Sequence, residues 1–185
     1  MPSLSEADQR AALQLARTAV VEAVFHRKLP DEFLREGVFT ERCGVFVTLH
    51  VRNRLQGCIG VIEANEPLGQ AIVRCAASAA LEDPRFAPMR SEQLDELSIE
   101  ISLLSPMEPI APEAIEIGHH GLFVRLHAQR GLLLPQVAIE HRLTREQFLE
   151  ETCRKAGLPR EAWRDPEARL FGFTCEVFSE RLNSG

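Results

Sequence analysis

The sequence lacks the motifs of several common enzyme classes. It contains no phosphate-binding loop, no dinucleotide-binding fingerprint, no HExxH metal motif and no GxSxG serine-hydrolase motif. Its five cysteines, at positions 43, 58, 75, 153 and 175, form no CxxC pair and no zinc-like spacing. An odd number of cysteines without a secretion signal is typical of reduced thiols. We therefore expect no metal site and no bound cofactor.

Signals for secretion and for membrane insertion are also missing. No apolar run approaches the roughly 20 residues that a membrane span requires, and the first residues, Met1 to Glu6, lack the basic and apolar regions of a signal peptide. The sequence thus predicts a soluble, cytoplasmic protein. The formal net charge of −6 disfavours nucleic acid as a partner, although arginines 52, 54 and 85 leave a local basic patch, and hence RNA binding, open.

Hydrophobic periodicity predicts helices alternating with hairpin strands. The predicted helices are 11–26, 68–81, a short one at 91–97, and one from a capping box at Thr144 to Ala156; the predicted strands are 45–51, 55–62, 97–104, 122–126, 131–135 and 170–178. Strands in hairpins with helices between them favour an antiparallel α+β fold. We expect one domain over residues 1–185, with a lobe boundary near the proline-rich 105–113.

The most informative segment is Leu55-Gln56-Gly57-Cys58-Ile59-Gly60, in which a cysteine lies between two glycines. Glycines in a strand remove side chains and let another group approach the backbone closely. An exposed Cys58 thiol with free amides beside it would suit a nucleophile or a ligand-binding turn. The same pattern would also suit a structural crossing where two backbones touch, with Cys58 a small buried hydrophobe.

Two histidines between glycines, in Gly118-His119-His120-Gly121, are the best candidates for a base. Neighbouring residues of an extended segment point to opposite sides, so the pair is not expected to bind one metal. The alternative is that both are solvated loop residues.

Further polar candidates lie at the end of the small-residue helix and after the later hairpin. Glu82, Asp83 and Arg85, which flank Pro84, could form a carboxylate and cation pair that orients a base or binds an anion; the alternative is that this cluster caps the helix and starts a turn. Gln136 leaves an apolar strand and could point into a cleft, or could satisfy the backbone of a turn.

An ordered set of segments carries a resemblance to one family. In chain order they are Gly44-Val45-Phe46-Val47-Thr48-Leu49, Leu55 to Gly60, Glu82-Asp83-Pro84-Arg85-Phe86, Ile99 to Pro106, His120-Gly121-Leu122, Gly131 to Ala138, Lys155-Ala156-Gly157-Leu158 and Trp163. Together they resemble the AMMECR-one domain family, whose prokaryotic members are called AmmeMemoRadiSam system protein A. The resemblance covers nearly the whole chain.

This resemblance implies an α+β protein with an antiparallel sheet flanked by helices, a second, smaller lobe and a cleft between the lobes. It also implies an association with a Memo-like protein and a radical SAM protein. One position departs from the family pattern, because Gln56 stands where the family signature usually has arginine. The side chain that could form a bidentate pair with an anion is therefore missing. If the arginine contacts an anionic ligand in relatives, this protein is expected to bind that ligand less well or to use Arg85 instead.

The leading hypothesis is a thiol-dependent enzyme, or a small-ligand-binding protein, that acts on an unknown small molecule. The sequence leaves open which of the two it is. Cys58 would be the nucleophile, His120 the base and Glu82 a positioning group, and the expected ligand-binding residues are Gly57, Ile59, Gly60, Arg85 and Gln136. The alternatives are a non-catalytic adaptor in a system with Memo-like and radical SAM proteins, and an accessory protein of RNA modification.

Overall fold

The chain divides into two compact units in the computed structural model, which describes residues 4–30, 36–63 and 65–180. The first unit contains residues 1–104 and 176–185, and the second contains residues 105–175. In chain order the helices and strands are α1 (Glu6–Val24), β1 (Gly44–Val51), β2 (Arg54–Val61), α2 (Leu68–Leu81), β3 (Leu97–Leu104), β4 (Glu108–Pro109), β5 (Gly121–Leu126), β6 (Gln129–Leu133), α3 (Pro135–Glu140), α4 (Arg145–Lys155), β7 (Arg169–Phe173) and β8 (Cys175–Ser179). That the two units are lobes of one domain, with a cleft between them, stays a prediction.

The sheet of the first unit has the strand order β2-β1-β3-β8, so β2 and β8 are its edges. β1 is antiparallel to both β2 and β3, and Val47 lies opposite Ile59 on one side and Ile101 on the other. These side chains and their neighbours two positions away form the core of the unit against α1 and α2. The other face of the sheet therefore carries the alternate residues, which include Thr48 and Cys58.

The helix α1 begins earlier and ends earlier than the predicted 11–26. Its start is fixed by Ser5, whose side chain accepts a hydrogen bond from the Asp8 N–H while the Asp8 carboxylate accepts one from the Ser5 N–H. The helix ends at Val24. His26, two residues later, has a left-handed conformation with φ of 54°, which a right-handed helix cannot include.

The second unit has its own four-stranded antiparallel sheet, in the order β4-β7-β5-β6. Buried residues of β5, α3 and α4 form its core around Leu122, Ala138 and Phe148. The α+β class is confirmed, with two antiparallel sheets rather than one.

Two predicted strands were wrong in their extent, and one predicted helix is of the 3₁₀ type. The predicted strand 170–178 is two strands separated by Thr174, and β7 belongs to the second unit's sheet whereas β8 belongs to the first unit's sheet. The predicted strand 131–135 ends at Leu133, because Pro135 occupies the first turn of α3, where its missing N–H costs nothing. The predicted helix 91–97 is a 3₁₀ helix, Ser91–Glu96.

None of the helices in the described ranges combines the length and the apolar character that a membrane crossing requires.

Candidate functional site

Gly57 lets helix α2 approach the edge strand β2. A Cβ atom added to Gly57 would lie 2.0 Å from the main-chain oxygen of Ala79 and 2.9 Å from its carbonyl carbon. Real Cβ atoms do not approach backbone this closely, so only glycine fits. The first glycine of the motif therefore marks a close crossing of two backbones on the helix-covered face of the sheet.

Gly60 has a different role on the opposite face of the same strand. A Cβ atom at Gly60 would lie 2.3 Å from the ring of Phe46, which is its partner in the register of β1 and β2. The aromatic ring thus occupies the space that a side chain would need. The two glycines that frame Cys58 are required by neighbours on the two different faces of β2.

The main chain of Cys58 is held from outside the sheet by the Asp83 and Arg85 side chains. The Cys58 N–H donates to Asp83 Oδ2 at 2.9 Å, and Arg85 Nη2 donates to the Cys58 carbonyl oxygen at 3.2 Å. Two more bonds join the side chains, from Arg85 Nε to Asp83 Oδ1 at 3.0 Å and from Nη2 to Oδ2 at 2.7 Å. On an edge strand, this ion pair bonds the donor and acceptor that a further strand would otherwise bond.

The ion pair is electrostatically asymmetric. The Asp83 side chain is 2% exposed, whereas that of Arg85 is 51% exposed. The hydrogen bonds from Arg85 outweigh burial and, together with the amides of Cys58 and Arg85, hold the pKa of the Asp83 carboxyl well below its usual range. Asp83 is therefore charged at neutral pH and remains so well into the acid range. The Cys58 amide already donates to this carboxylate, so it is not available to bind an oxyanion or another anionic ligand.

The thiol of Cys58 is half-buried, and the Thr48 hydroxyl lies within hydrogen-bond distance as a donor, with Oγ1 and Sγ 3.2 Å apart. Burial raises the pKa of the Cys58 thiol; the Thr48 hydrogen bond and the Arg85 charge oppose this rise, while the carboxylates of Asp83 and Glu100 add to it. The protein at neutral pH therefore holds Cys58 as a thiol rather than as a thiolate.

Further polar residues share the face of the first sheet that carries Cys58, which we call the polar face and define by Thr48, Cys58, Glu100 and Ser102. Thr48 lies directly between Cys58 and Glu100 in the strand register, so the three residues form one row across β2, β1 and β3. Ser102, two positions from Glu100, is 1% exposed, and its hydroxyl has no hydrogen-bond partner among the described residues. A buried hydroxyl without a partner is uncommon and often indicates a water or ligand position.

His120 belongs to the second unit, immediately before β5. The ring Nδ1 of His120 accepts a hydrogen bond from the Glu116 N–H at 3.0 Å, and the main-chain N–H of His120 donates to the Glu116 carbonyl oxygen at 3.0 Å. The pairing of His120 with Cys58 as base and nucleophile stays a prediction.

The remaining predicted residues have other surroundings. Glu82 is exposed and accepts a hydrogen bond from the Ser78 hydroxyl at 2.7 Å, so the carboxylate that contacts Cys58 is that of Asp83. The Ile59 side chain packs against the apolar core of the first unit, on the face opposite Cys58. Gln136 is half-buried in the first turn of α3.

The structure thus brings Gly57, Gly60 and Arg85 together around Cys58, within the first unit. The sequence reasoning did not name Thr48, and it named Asp83 only as part of a possible carboxylate and cation pair, without its contact to Cys58. The strand alternation that places Thr48 on the same face was visible, but the register with β2 was not. In the described part of the chain, no group of three or more histidine, cysteine or acidic side chains is arranged to hold a metal ion.

Comparisons with known proteins place this architecture among its relatives. The family model described as AMMECR1, the AMMECR-one family of the resemblance above, matches residues 13–178. A protein of Methanothermobacter thermautotrophicus is 43% identical over 96% of this chain and 96% of its own length, and one of Thermococcus kodakarensis is 41% identical over 94% and 90%. The crystal structure of an uncharacterised protein from Pyrococcus horikoshii superimposes with a TM-score of 0.88 at 38% identity, covering 95% of this chain and 92% of that one.

Proposed function

Because the chain belongs to the AMMECR1 family, we propose that the segment from Gly57 to Gly60, which carries part of its resemblance to that family, serves to bind a small molecule. The ligand would lie on the polar face, with the Cys58 thiol as a direct contact. The observation that carries this proposal is the fixed position of that thiol. The Asp83–Arg85 pair bonds both main-chain polar groups of Cys58, and Thr48 contacts its sulfur. Groups that contact ligands are typically held in this way by neighbours that restrict their motion.

The composition of the polar face supports a ligand with hydrogen-bonding groups. Thr48 offers a hydroxyl, Glu100 a carboxylate, and Ser102 a buried hydroxyl without a partner among the described residues. A ligand that bonds this last hydroxyl would remove the cost of burying it unpaired, about 1 to 3 kcal/mol.

Thiol-dependent catalysis is the reactive form of the same proposal, and the raised pKa of Cys58 restricts it. A nucleophilic cysteine acts as its thiolate, and burial together with two nearby carboxylates disfavours that form here. The proton must therefore leave when the substrate is bound, to a base that the substrate or the polar face supplies. Under this proposal Cys58 is unreactive in the free protein and becomes reactive only with its substrate present.

Alkylation of the folded protein tests whether the thiol is reachable at all. We expect iodoacetamide to modify Cys58 more slowly than free cysteine at neutral pH, with a rate that rises about tenfold per pH unit while the thiol remains mostly protonated. Modification at each position is measured by peptide mass spectrometry, with buried Cys43 and Cys75 as internal references for inaccessible thiols. A Cys58 that is modified only as slowly as these two would contradict ligand contact.

An adaptor role is the second candidate, and a specific observation favours it. Gly57, Gly60, Asp83 and Arg85 all have structural roles, so the family motif could serve only to shape the first unit. In that case a Memo-like protein or a radical SAM protein would be the partner that this surface meets. Co-purification of such partners with Cys58→Ser as well as with the wild-type protein would support the adaptor, because it would show that the thiol is not needed.

A further inference from the structure

A groove in the second unit lies beside the paired strands β4 and β7 and has a volume of about 320 Å³. The residues of its wall that matter here are Ser105, Glu108, Ile110, His120, Phe173 and Thr174. Ile110 packs closely over Gly172, since a Cβ atom added there would lie 2.8 Å from Ile110 Cδ1. The groove thus has an apolar side, formed by Ile110 and Phe173, and a polar rim.

His120 is a polar side chain of this groove whose ring is held by the main chain of a nearby turn. The N–H groups of His119 and His120 both donate to the Glu116 carbonyl oxygen, at 3.2 and 3.0 Å, and the Glu116 N–H donates back to His120 Nδ1 at 3.0 Å. These reciprocal bonds within five residues close the turn and fix the plane of the imidazole ring.

The same bond determines which ring nitrogen carries the proton. Nδ1 accepts a main-chain N–H, so it cannot hold a proton of its own, and in the neutral ring the proton is on Nε2. Neutral His120 is therefore a hydrogen-bond donor at Nε2. A base that accepts a proton at Nε2 would need the other tautomer, which would leave the Glu116 N–H facing a second N–H.

The other polar groups of the rim limit the charge of a possible ligand. Ser105 Oγ is used internally, because it accepts from the Thr174 N–H at 2.9 Å and donates to the Pro106 carbonyl oxygen at 3.1 Å. Glu108 is the one residue with a full charge among the lining residues described, which include no lysine or arginine. A carboxylate would repel an anionic ligand, and no cation offsets it.

We propose that this groove binds an uncharged ligand that presents a carbonyl oxygen, a carboxamide in the simplest case, and that the His120 Nε2–H donates to that oxygen. The apolar side contacts the carbon skeleton of the ligand. The proposal uses none of the residues of the polar face, so it goes beyond the small-molecule site at Cys58 and stands or falls separately from it.

The first test is the tautomer of His120 in the free protein. Long-range ¹H–¹⁵N correlation spectra of the full chain, recorded at mildly alkaline pH, should show His120 in the Nε2–H form. His119, whose ring has no hydrogen bond to the main chain among the described residues, is the internal comparison. A His120 that carries its proton on Nδ1 overturns the proposal.

The second test is binding of propionamide, which is uncharged. Propionate, a probe of nearly the same size that carries a negative charge, is the comparison. For a fragment of five non-hydrogen atoms, the ligand-efficiency limits correspond to Kd values between roughly micromolar and roughly 0.1 M, and we set the titration for a Kd on the order of 10 mM. We expect propionamide to shift the His120 ring signals saturably, and propionate to bind at least about fivefold more weakly, since Glu108 opposes its charge. Equal binding of both probes, or no saturable shift with propionamide, overturns the proposal.

Substitutions separate the hydrogen bond from the shape of the groove. His120→Leu should weaken propionamide binding about fivefold to tenfold, whereas His120→Gln, which keeps a donor, should stay within about threefold of wild type. His119→Leu, a change of the neighbouring exposed ring outside the groove, should leave binding unchanged. Thermal unfolding of the three variants checks that the turn remains folded. If His120→Leu folds and still binds propionamide as wild type does, the donor role is wrong.

Discussion

Cys58 in the first unit and His120 in the second are both fixed by reciprocal hydrogen bonds, but over very different distances along the chain. Cys58 is held by Asp83 and Arg85, 25 and 27 positions away, through a nearly buried carboxylate. His120 is held by the main chain of Glu116, four positions away. The geometry of Cys58 therefore depends on the fold of its whole unit and on charge, whereas the geometry of His120 depends on one turn.

The largest expected effect concerns the close approach that places the Cys58 strand. Gly57→Ala would put a Cβ atom 2.0 Å from the Ala79 carbonyl oxygen, a main-chain atom that cannot move without shifting α2. We expect the free energy of unfolding to fall by about 3 kcal/mol or more, measured by urea denaturation.

The matched change in the turn of His120 should be milder. Gly118→Ala meets only the end of the Ile139 side chain, which is 58% exposed and can rotate away. Its cost should come mainly from the left-handed φ of 82°, about 1 to 2 kcal/mol. Equal destabilisation by the two variants would contradict the contrast between the units.

The next effect concerns the charge that holds Cys58. Asp83→Asn keeps the shape of the side chain but loses the charged bonds to Arg85, and we expect a loss of about 2 to 3 kcal/mol at pH 7. Since the folded-state pKa of Asp83 is depressed, its contribution is present above the usual carboxyl pKa of about 4 and is lost as the pH falls below it. The difference in stability between wild type and variant should therefore shrink in acid.

Two other carboxylates, one in each unit, provide the controls for this experiment. Glu82→Gln changes an exposed side chain that contacts only Ser78 among the bonds described here, and Glu116→Gln leaves the main-chain atoms that bond His120 in place. Both should stay within about 0.5 kcal/mol of wild type. A loss as large as that of Asp83→Asn in either variant would show that general charge effects, rather than this ion pair, set the stability.

The sequence predicted the local features of both sites and missed the long-range ones. The alternation of Val45 to Val51 predicted β1, and the two glycines around Cys58 indicated a close approach, because both signals are local. That Asp83 rather than Glu82 faces Cys58 depends on where α2 ends relative to an edge strand, which no local pattern contains. The division of residues 170–178 between two sheets was missed for the same reason, since both halves have similar strand propensity.

A smaller effect concerns the thiol itself. Thr48→Val removes the hydroxyl that donates to the Cys58 sulfur, so the pKa of Cys58 should rise further and its thiolate fraction should fall. We expect the alkylation rate at a fixed pH to drop about threefold to tenfold. Thr48→Ser keeps the donor and should alkylate at close to the wild-type rate. If serine and valine gave the same slow rate, lost packing rather than the hydrogen bond would be responsible.

The smallest effect concerns Gln56, a position at which the family resemblance of the sequence predicts an arginine. Gln56 Nε2 donates to the Ala87 carbonyl oxygen at 2.9 Å, and its Oε1 faces Gln93 Nε2 at 3.4 Å. An arginine at this position can still donate to Ala87, so Gln56→Arg should change the free energy of unfolding by no more than about 0.5 kcal/mol. The added charge should lower the pKa of Cys58 and raise its alkylation rate by about twofold or less, because an exposed cation is strongly screened by water and salt. A rate increase of tenfold or more would contradict this screening and show that the residue at position 56 controls the thiol directly.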